Sequence, residues 1–551
     1  MIKPFIKTTR CTVSTLSPVH IGCGEDYYPT NYLIDDGLLH HFSEEGLLAA
    51  LSPSEKNALA KIAEKPNDRN DGGIKELQRF VYSKKDGLVN YAIHTVSAAK
   101  GIEEFYLSRM KGGDKNKLEI ARHAFNPYNQ TPYFAGSSIK GAIRTALLNA
   151  LNGNESLQSK LNELRITDKN RRPFIVNDKF DIPKNVNGKL QENLLDYQAI
   201  SDKPEKGIKG DPLRLLKIGD ATYKNSDDLN ADEIRFAVNR KNKISKKQSE
   251  LYQILECLSA NRSRSLMFDM TFLADKAVNY RWTLSEICNA CNEFFVPQLE
   301  KELDTLQQLN YCNAEWAKNL EKLLANELGD AFKNQQAFLL RIGQHGGAES
   351  NTLEGLRHIK VKIKDKPAEY KYLPKPNTIW LAANHKDQQH DLLPFGWVIV
   401  EIDDFVLNKT HAFLTAQAAP DYARQATLQA LAQQRAEFLA QEQQKQALKA
   451  QQEAEAAEQQ RLQDEAEQVK HAQLAAMTLE QKIVFELKEA LAKDPKPDAN
   501  GTLRQLLTTA IKQAENWSST DKQALLDIGA HLSNVWGKPR KLKDQLKDLQ
   551  N

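Results

Sequence analysis

The chain has 551 residues, with 75 Lys and Arg against 72 Asp and Glu, which gives a formal net charge of +3. At about 150 residues per domain, this length predicts three or four domains and excludes a peptide-like effector. The near-neutral charge excludes a histone-like polycation, so any attraction to phosphate must come from a local basic patch.

The six cysteines are too few and too scattered for a disulfide framework. The N-terminal segment lacks the apolar core of a signal peptide, and no stretch approaches the roughly 18 apolar residues of a membrane span. We therefore expect a cytoplasmic protein without a membrane partner.

The first informative segment is residues 16–25, a loop that follows a strand predicted from Cys11 onwards. Gly22 and Gly24 would let the backbone of this loop approach another chain closely. Without a third glycine and a following helix, the pattern is not a dinucleotide-binding fingerprint.

Two strand-like runs, 31–34 and 38–42, flank an Asp-Asp-Gly turn at 35–37, which predicts a β-hairpin. His40 and His41 are adjacent in the second strand and would point to opposite faces of the sheet. They therefore cannot form one metal site by themselves.

The strongest signal is a Gly-Ser turn that opens a predicted helix. Ser137 or Ser138 would cap this helix, and Lys140 and Arg144, one turn apart, would add two cations near its N-terminus. Free backbone N–H groups, the helix dipole, hydroxyls and cations together favour a phosphate, and Gly141 removes a side chain that would block its approach. The spacing is not that of a Walker A loop. The alternative interpretation is an ordinary capped helix with exposed cations.

Two further patterns have structural interpretations that we favour. Cys288 and Cys291 have the spacing of half a zinc site, but a fourth ligand is missing and the surrounding periodicity predicts buried cysteines on a helix. Asp211 and Asp220 flank an apolar run and are interpreted as strand-end residues. We expect no metal and no cofactor.

The C-terminal quarter is predicted to be helical. Residues 415–477 are dominated by Ala, Gln and Glu, which favours one long helix. Its apolar positions keep a seven-residue spacing only in pairs, so we predict a solvated spacer instead of a coiled coil. Thr478 and Gln481 form a capping box that opens a small three-helix bundle.

Five segments occur in the order seen in RAMP proteins of type III CRISPR systems, which the chain resembles. These segments are 16–22, 136–147, 211–220, 341–347 and 393–398. Among such proteins the sequence is most similar to the fifth subunit of the type III-A Csm complex. The resemblance implies an α+β fold with two ferredoxin-like (RRM-like) modules, 1–235 and 236–410. A long helix at 411–477 and a small helical bundle at 478–551 follow them.

The resemblance also implies a non-catalytic subunit that binds the 3′ part of the crRNA and caps the head side of the complex. Such a subunit supports guide maturation, assembly and antiviral defence, and its implied partners are the repeated backbone subunit, the small subunit and host nucleases. The RNA-binding positions expected from these motifs are His20, Gly136, Ser137, Ser138, Lys140, Gly141, Arg144, Arg341, Gly343, Gln344, Gly346 and Gly347.

Two other function classes compete with this expectation. A RAMP-family endoribonuclease would need a general acid or base near the RNA, for which His20 and His345 are the available candidates. The second alternative is a protein scaffold that makes no RNA contact. Asp26, Asp35 and Asp36 are explained by turn formation and do not favour metal-dependent cleavage.

Overall fold

The structure is a computed structural model that describes residues 6–65, 71–112, 115–179, 181–197, 210–223, 232–245, 249–274, 282–364 and 369–550. The strands in these ranges are β1 (Ile6–Thr15), β2 (Gly22–Tyr27), β3 (Tyr32–Asp35), β4 (Leu38–Phe42), β5 (Ala92–Ala98), β6 (Ile120–His123), β7 (Leu216–Ile218), β8 (Thr222–Tyr223), β9 (Asp232–Lys241), β10 (Tyr252–Leu258), β11 (Leu266–Leu273), β12 (Ala337–Arg341), β13 (Ile359–Lys364), β14 (Glu369–Leu373), β15 (Thr378–Ala383), β16 (Leu393–Pro394) and β17 (Trp397–Ile402).

The α-helices in the same ranges are α1 (Glu44–Ala49), α2 (Pro53–Ala63), α3 (Gly72–Tyr82), α4 (Lys85–Leu88), α5 (Lys100–Lys111), α6 (Gly136–Asn152), α7 (Leu157–Glu163), α8 (Val186–Leu195), α9 (Leu284–Gln308), α10 (Ala314–Leu323), α11 (Gly329–Lys333), α12 (Asn408–Ala476), α13 (Leu479–Lys493), α14 (Thr502–Gln513), α15 (Ser519–Val535) and α16 (Arg540–Gln550). None of the described helices combines the length and the apolar composition needed to cross a bilayer.

Most of the described strands form two sheets. One has the order β12-β17-β1-β11-β7, with β8 also paired to β11. The other has the order β2-β6-β10-β9-β5-β4-β3, with β15 paired to β9 and β16. Helices α6 and α9 pack against each other, and their buried faces belong to the same core as both sheets. The α+β fold class, with a long helix and C-terminal helices after the sheets, is confirmed.

The two sheets are interwoven along the chain. Each sheet takes strands from both sides of residue 235, and β9 runs through the boundary predicted at 235/236. Pairing between strands that are distant in the sequence determines this arrangement. The local composition of a segment therefore does not predict which sheet it joins.

Local signals in the sequence are reproduced where they depend on neighbouring residues. The predicted hairpin is β3–β4, and its turn places Asp36 and Gly37 at φ of 50° and 66°, the region that Gly and Asp tolerate. The capping box at Thr478 and Gln481 forms as predicted. Cys288 and Cys291 are buried on α9, and burial raises the pKa of each thiol.

The chain divides into two compact units, 1–439 and 440–551, and α12 contains the boundary between them. Within the first unit, α12 is anchored: Arg435 donates to the Val89 carbonyl at 2.8 Å, and the Phe438 ring lies 5.3 Å from the Tyr91 ring. Every side chain in 443–473 is exposed, as the predicted spacer requires, but the prediction of a solvated helix was wrong for the stretch around Arg435.

The second unit contains four bundle helices, α13 to α16, and not the predicted three. The additional helix is α16, which is formed by the basic segment at the end of the unit. Leu542 of this helix is fully buried, and Leu546 packs so closely on Gly529 that a Cβ there would lie 2.5 Å from the leucine Cδ2. Apolar residues at helical spacing between the lysines explain why the tail folds.

Candidate nucleic-acid interface

The first turn of α6 is capped by a carboxylate and not by a serine. The helix begins at Gly136, and the Gly136 N–H donates to Asp220 Oδ1 at 2.7 Å. The predicted cap by Ser137 or Ser138 was wrong, because Ala135 occupies the N-cap position and makes no side-chain bond. A Cβ on Gly136 would lie 2.4 Å from the Ile218 carbonyl oxygen, so this glycine permits close packing against β7.

The two cations of α6 face residues 211–216 of the same chain. Arg144 forms an ion pair with Asp211 at 2.9 Å and also donates to Gln191. Lys140 donates to the Leu216 carbonyl at 2.8 Å, and burial together with the charge of Lys217 lowers the pKa of Lys140. Arg144 therefore makes a structural contact.

The surface that the first half of α6 leaves open is formed mainly by small residues. Ser137 and Gly141 are exposed, while Ser138 and Lys140 are half-buried. A Cβ on Gly141 would meet no atom within 4 Å, so this position is open to an approaching strand.

Arg341 belongs to a buried network at the end of β12. Its guanidinium forms an ion pair with Glu302 at 2.8 Å and lies 4.7 Å from the centre of the Trp397 ring. Trp397 Nε1–H donates to the second carboxylate oxygen of Glu302 at 2.6 Å, and Arg341 Nε–H donates to the Phe395 carbonyl at 2.9 Å. Arg341 is 7% exposed. Its buried side chain therefore supports the start of the following glycine-rich loop from the interior of the protein.

The two glycine-rich loops that the sequence marks, at 20–24 and 343–347, meet in space. The Gln344 N–H donates to the His20 carbonyl at 2.8 Å. Gly343 has φ of +81°, and a Cβ there would lie 2.3 Å from the same carbonyl oxygen. A Cβ on Gly22 would lie 3.1 Å from Gln344 Nε2. The junction thus depends on small residues on both sides.

His20 lies beneath this junction and is 1% exposed. Its Nδ1 is 2.5 Å from the Glu256 carbonyl oxygen and therefore carries the hydrogen, while Nε2 has no hydrogen-bond partner among the described residues. Burial lowers the pKa of His20, so the ring is neutral at pH 7. A ring in this position supports the backbone around it and is not open to solvent.

The second glycine-rich loop lines a cleft of about 1250 Å³. The other walls come from the C-terminal end of α6, the middle of α9 and the start of β15. Lys301 and Lys375 stand at its rim, and burial together with the charge of Lys375 lowers the pKa of Lys301. Glu349 and Glu354 attract Lys301.

Two of the carboxylates in the cleft are committed to arginines. Glu302 pairs with Arg341, and Glu354 pairs with Arg357 at 2.7 Å. Lys301 and Lys375 are like charges side by side, which a nearby anion stabilises, and Glu349 and Glu354 already supply part of that attraction to Lys301.

His345 forms an aromatic part of the same cleft. Its ring lies 4.9 Å from the Trp380 ring and 5.3 Å from the Phe395 ring. Burial, with a smaller contribution from His20, lowers the pKa of His345 to about 4. The ring is therefore neutral near pH 7.

Comparison with protein families matches residues 12–347 to the RAMP superfamily, which is more than half of the chain. This chain belongs to the RAMP superfamily. The sequence resemblance to RAMP proteins is thereby confirmed, and the motifs at 16–22, 136–147 and 341–347 lie inside the matched range.

Among characterised proteins, this RAMP protein is similar to Csm5, a CRISPR system protein. It is 27% identical to Csm5 of Methanocaldococcus jannaschii over 360 residues, which cover 63% of this chain and 73% of that protein. It is 28% identical to Csm5 of Streptococcus thermophilus over 147 residues, which cover 26% of this chain and 38% of that protein.

Two solved structures are also similar. One is a chain in a cryo-EM structure of a type III-A Csm–crRNA–target RNA ternary complex, with a TM-score of 0.45, 17% identity and coverage of 72% of this chain and 100% of that chain. The other is a crystal structure of Csm5 from T. onnurineus, with a TM-score of 0.41, 16% identity and coverage of 70% and 99%.

Sequence reasoning missed the lysine pair of the RAMP protein's cleft. Lys301 lies in the middle of α9 and Lys375 lies before β15, so no motif or local spacing connects them. Only the tertiary fold, which places the middle of α9 and the segment before β15 on one cleft, brings them together.

A buried polar cluster lies inside the nine-stranded sheet. His94 Nε2 is 2.9 Å from an Asp232 carboxylate oxygen and 3.5 Å from one of Glu256, and Glu256 also accepts from Tyr27 and from the His123 backbone. His94, Asp232 and Glu256 are the residues, within the described ranges, whose donor atoms are close enough to hold a metal ion. A protonated His94 between the two carboxylates satisfies the same contacts.

This cluster predicts a loss of stability at high pH. Burial alone lowers the pKa of His94, but Asp232 and Glu256 together act more strongly and raise it from 6.5 to about 9. The resulting stabilisation, on the order of 3 kcal/mol, is fully present below pH 6.5 and is lost as the pH rises through 9. Urea unfolding at pH 6 and pH 10 measures it.

The matched control for this experiment is His94→Gln. It replaces the imidazole by a neutral amide that can still form hydrogen bonds, and it removes the titration. We expect the variant to be less stable at pH 6 and to show a smaller difference between the two pH values. An equal pH dependence in both proteins would contradict the assignment of the proton to His94.

Proposed function

We propose that this RAMP protein is a non-catalytic crRNA-binding subunit of a type III-A Csm complex. It holds the 3′ part of the guide and caps the head side, next to the repeated backbone subunit and the small subunit, and it supports guide maturation with the help of host nucleases. The similarity to two Csm5 proteins supports membership of a Csm complex. The geometry of the glycine-rich junction supports RNA binding.

One observation carries the RNA-binding part of the proposal. The loops at 20–24 and 343–347 are far apart in the sequence, yet a backbone hydrogen bond joins them directly beside the cleft with Lys301 and Lys375. Exposed glycines present backbone N–H groups without side chains, and lysines supply positive charge, which together suit a sugar-phosphate strand. We assign Gly347 and the open face of α6 to the same RNA path, with Arg144 and Arg341 as supports. Gly346 is buried against the Arg341 side chain, so it belongs to these supports and not to the exposed surface.

Holding is favoured over cutting because His20, one of the two candidate catalytic histidines, is buried. A general acid or base must reach within hydrogen-bond distance of the reacting group. His20 is 1% exposed and its Nδ1–H is committed to the Glu256 carbonyl, so RNA could reach it only after the loop junction had opened. The geometry thus leaves the RNase alternative without an accessible catalytic group at His20.

The lysine pair provides the test of RNA binding. We expect the full-length Lys301→Ala/Lys375→Ala variant to bind single-stranded guide RNA more weakly. The slope of log affinity against log salt should fall by about 0.7 for each phosphate that the variant no longer neutralises. Lys445→Ala/Lys449→Ala is the matched control, because these side chains are 74% and 77% exposed on α12 and lie outside the cleft.

Reconstitution tests the place in the complex. The reconstituted complex should carry guides with uniform 3′ ends, and the cleft variant should give ragged or longer ends at unchanged subunit composition. The proposal is wrong if wild-type chain binds no RNA and guide ends are the same with and without it. Sequence-defined cleavage of repeat RNA by the isolated chain, abolished in His20→Gln, would establish the RNase alternative instead.

A further inference from the structure

Tyr128 is the most exposed aromatic side chain in the described part of the chain, with 97% of its surface accessible. A single exposed tyrosine is ordinary on a protein surface, so exposure alone does not indicate a partner. The turn that carries Tyr128 is rigid and lies beside the glycine-rich loops. These two observations together indicate a role for the exposed ring.

The turn is tightly hydrogen-bonded. The Asn126 N–H donates to the Thr131 carbonyl at 2.9 Å, and the Gln130 N–H donates to the Asn126 carbonyl at 2.8 Å. Tyr128 N–H itself donates to Asn126 Oδ1 at 3.0 Å, and Asn129 Oδ1 accepts from the Thr131 N–H at 3.2 Å. Because these bonds fix the backbone in advance, little conformational entropy is lost when the ring binds something.

A cation anchors the base of this turn. Arg122 is 4% exposed, and its guanidinium lies 3.6 Å from the centre of the Phe125 ring. It also donates to Gln130 Oε1 at 2.9 Å. These contacts fix the base of the turn, so the exposed ring of Tyr128 is attached to a rigid backbone.

The turn rises beside the junction of the glycine-rich loops. Its first flanking residue, Ala124, donates its N–H to the Ile21 carbonyl at 2.7 Å and accepts from the Tyr133 N–H at 3.0 Å. The Tyr133 carbonyl in turn accepts from His123 Nε2–H at 3.0 Å. On the other side, α6 begins eight residues after Tyr128.

We propose that Tyr128 stacks on an unpaired base of the RNA strand held at this surface, an inference that rests on the proposed function. An aromatic ring suits any of the four bases because each has a π-face. Apart from Pro127, the neighbours of Tyr128 in the turn are polar, namely Asn126, Asn129, Gln130 and Thr131. A protein partner would instead favour a contiguous apolar patch with a desolvated centre.

Binding of a single-stranded RNA that carries 2-aminopurine tests this inference in the full-length protein. We expect Tyr128→Ser to weaken binding by about fivefold to a hundredfold and to restore 2-aminopurine fluorescence that stacking quenches. Tyr128→Phe should bind like the wild type. Tyr370→Ser, at a tyrosine that is 43% exposed on β14, should change neither readout.

The salt dependence separates the outcomes. Removal of a stacking ring leaves the salt slope unchanged, whereas removal of the cations Lys301 and Lys375 lowers it. If wild-type chain binds RNA and Tyr128→Ser binds equally well, the inference is wrong and the proposed function stands. Unchanged RNA affinity with failed assembly of the complex also overturns it, since Tyr128 would then contact a protein. If wild-type chain binds no RNA, the proposed function itself fails.

Discussion

Replacing Glu302 by alanine is expected to lower the free energy of unfolding by about 3–5 kcal/mol, because it leaves the Arg341 guanidinium buried without a counter-charge. The side chains of Arg341 and Glu302 are 6% and 8% exposed, so water cannot compensate for the missing partner. Trp397 Nε1–H loses its acceptor at the same time. Urea unfolding followed by far-UV circular dichroism measures the change.

Two further variants make this expectation specific. Glu354→Gln alters an ion pair in the same cleft, but its carboxylate is 45% exposed, so we expect a change of about 1 kcal/mol or less. Arg341→Met in the Glu302→Ala background removes the unpaired charge and should restore part of the stability. If Glu302→Ala and Glu354→Gln are equally mild, the buried network does not hold the second glycine-rich loop.

The sequence predicts those parts of the fold that depend on neighbouring residues. The hairpin at Asp36 and Gly37 follows from the need for positive φ, and the capping box at Thr478 requires only a glutamine three residues later. The long helix follows from composition, because Ala, Gln and Glu favour helix in any context.

Contacts between distant residues decide the rest, and the candidate site shows this most clearly. The positions of the glycine-rich loops could be predicted, since glycines mark close backbone approach. The fate of the cations could not be predicted. Arg144 pairs with Asp211 and Arg341 with Glu302, whereas Lys301 and Lys375, which no motif marks, stand at the cleft rim. A cation's accessibility depends on which carboxylate the tertiary fold brings near it.

Gly343→Ala is expected to be the most damaging substitution in the glycine-rich loops. A side chain at φ of +81° costs roughly 1–2 kcal/mol by itself. The Cβ would also lie 2.3 Å from the His20 carbonyl oxygen, which is backbone and cannot rotate away. We therefore expect a loss of about 3 kcal/mol or more, and weaker RNA binding because the loop must separate from His20.

Two other glycines separate these contributions. Gly24→Ala introduces the same strain at φ of +84° with no atom within 4 Å, so it should cost only about 1–2 kcal/mol. Gly141→Ala lies inside α6 in open space and should stabilise the protein by about 0.5–1 kcal/mol, because alanine favours helix. The expected order of stability is therefore Gly141→Ala, wild type, Gly24→Ala and Gly343→Ala. If Gly343→Ala costs no more than Gly24→Ala, the hydrogen bond from Gln344 to His20 does not fix the loops against each other, and the RNA path proposed along their junction loses its structural basis.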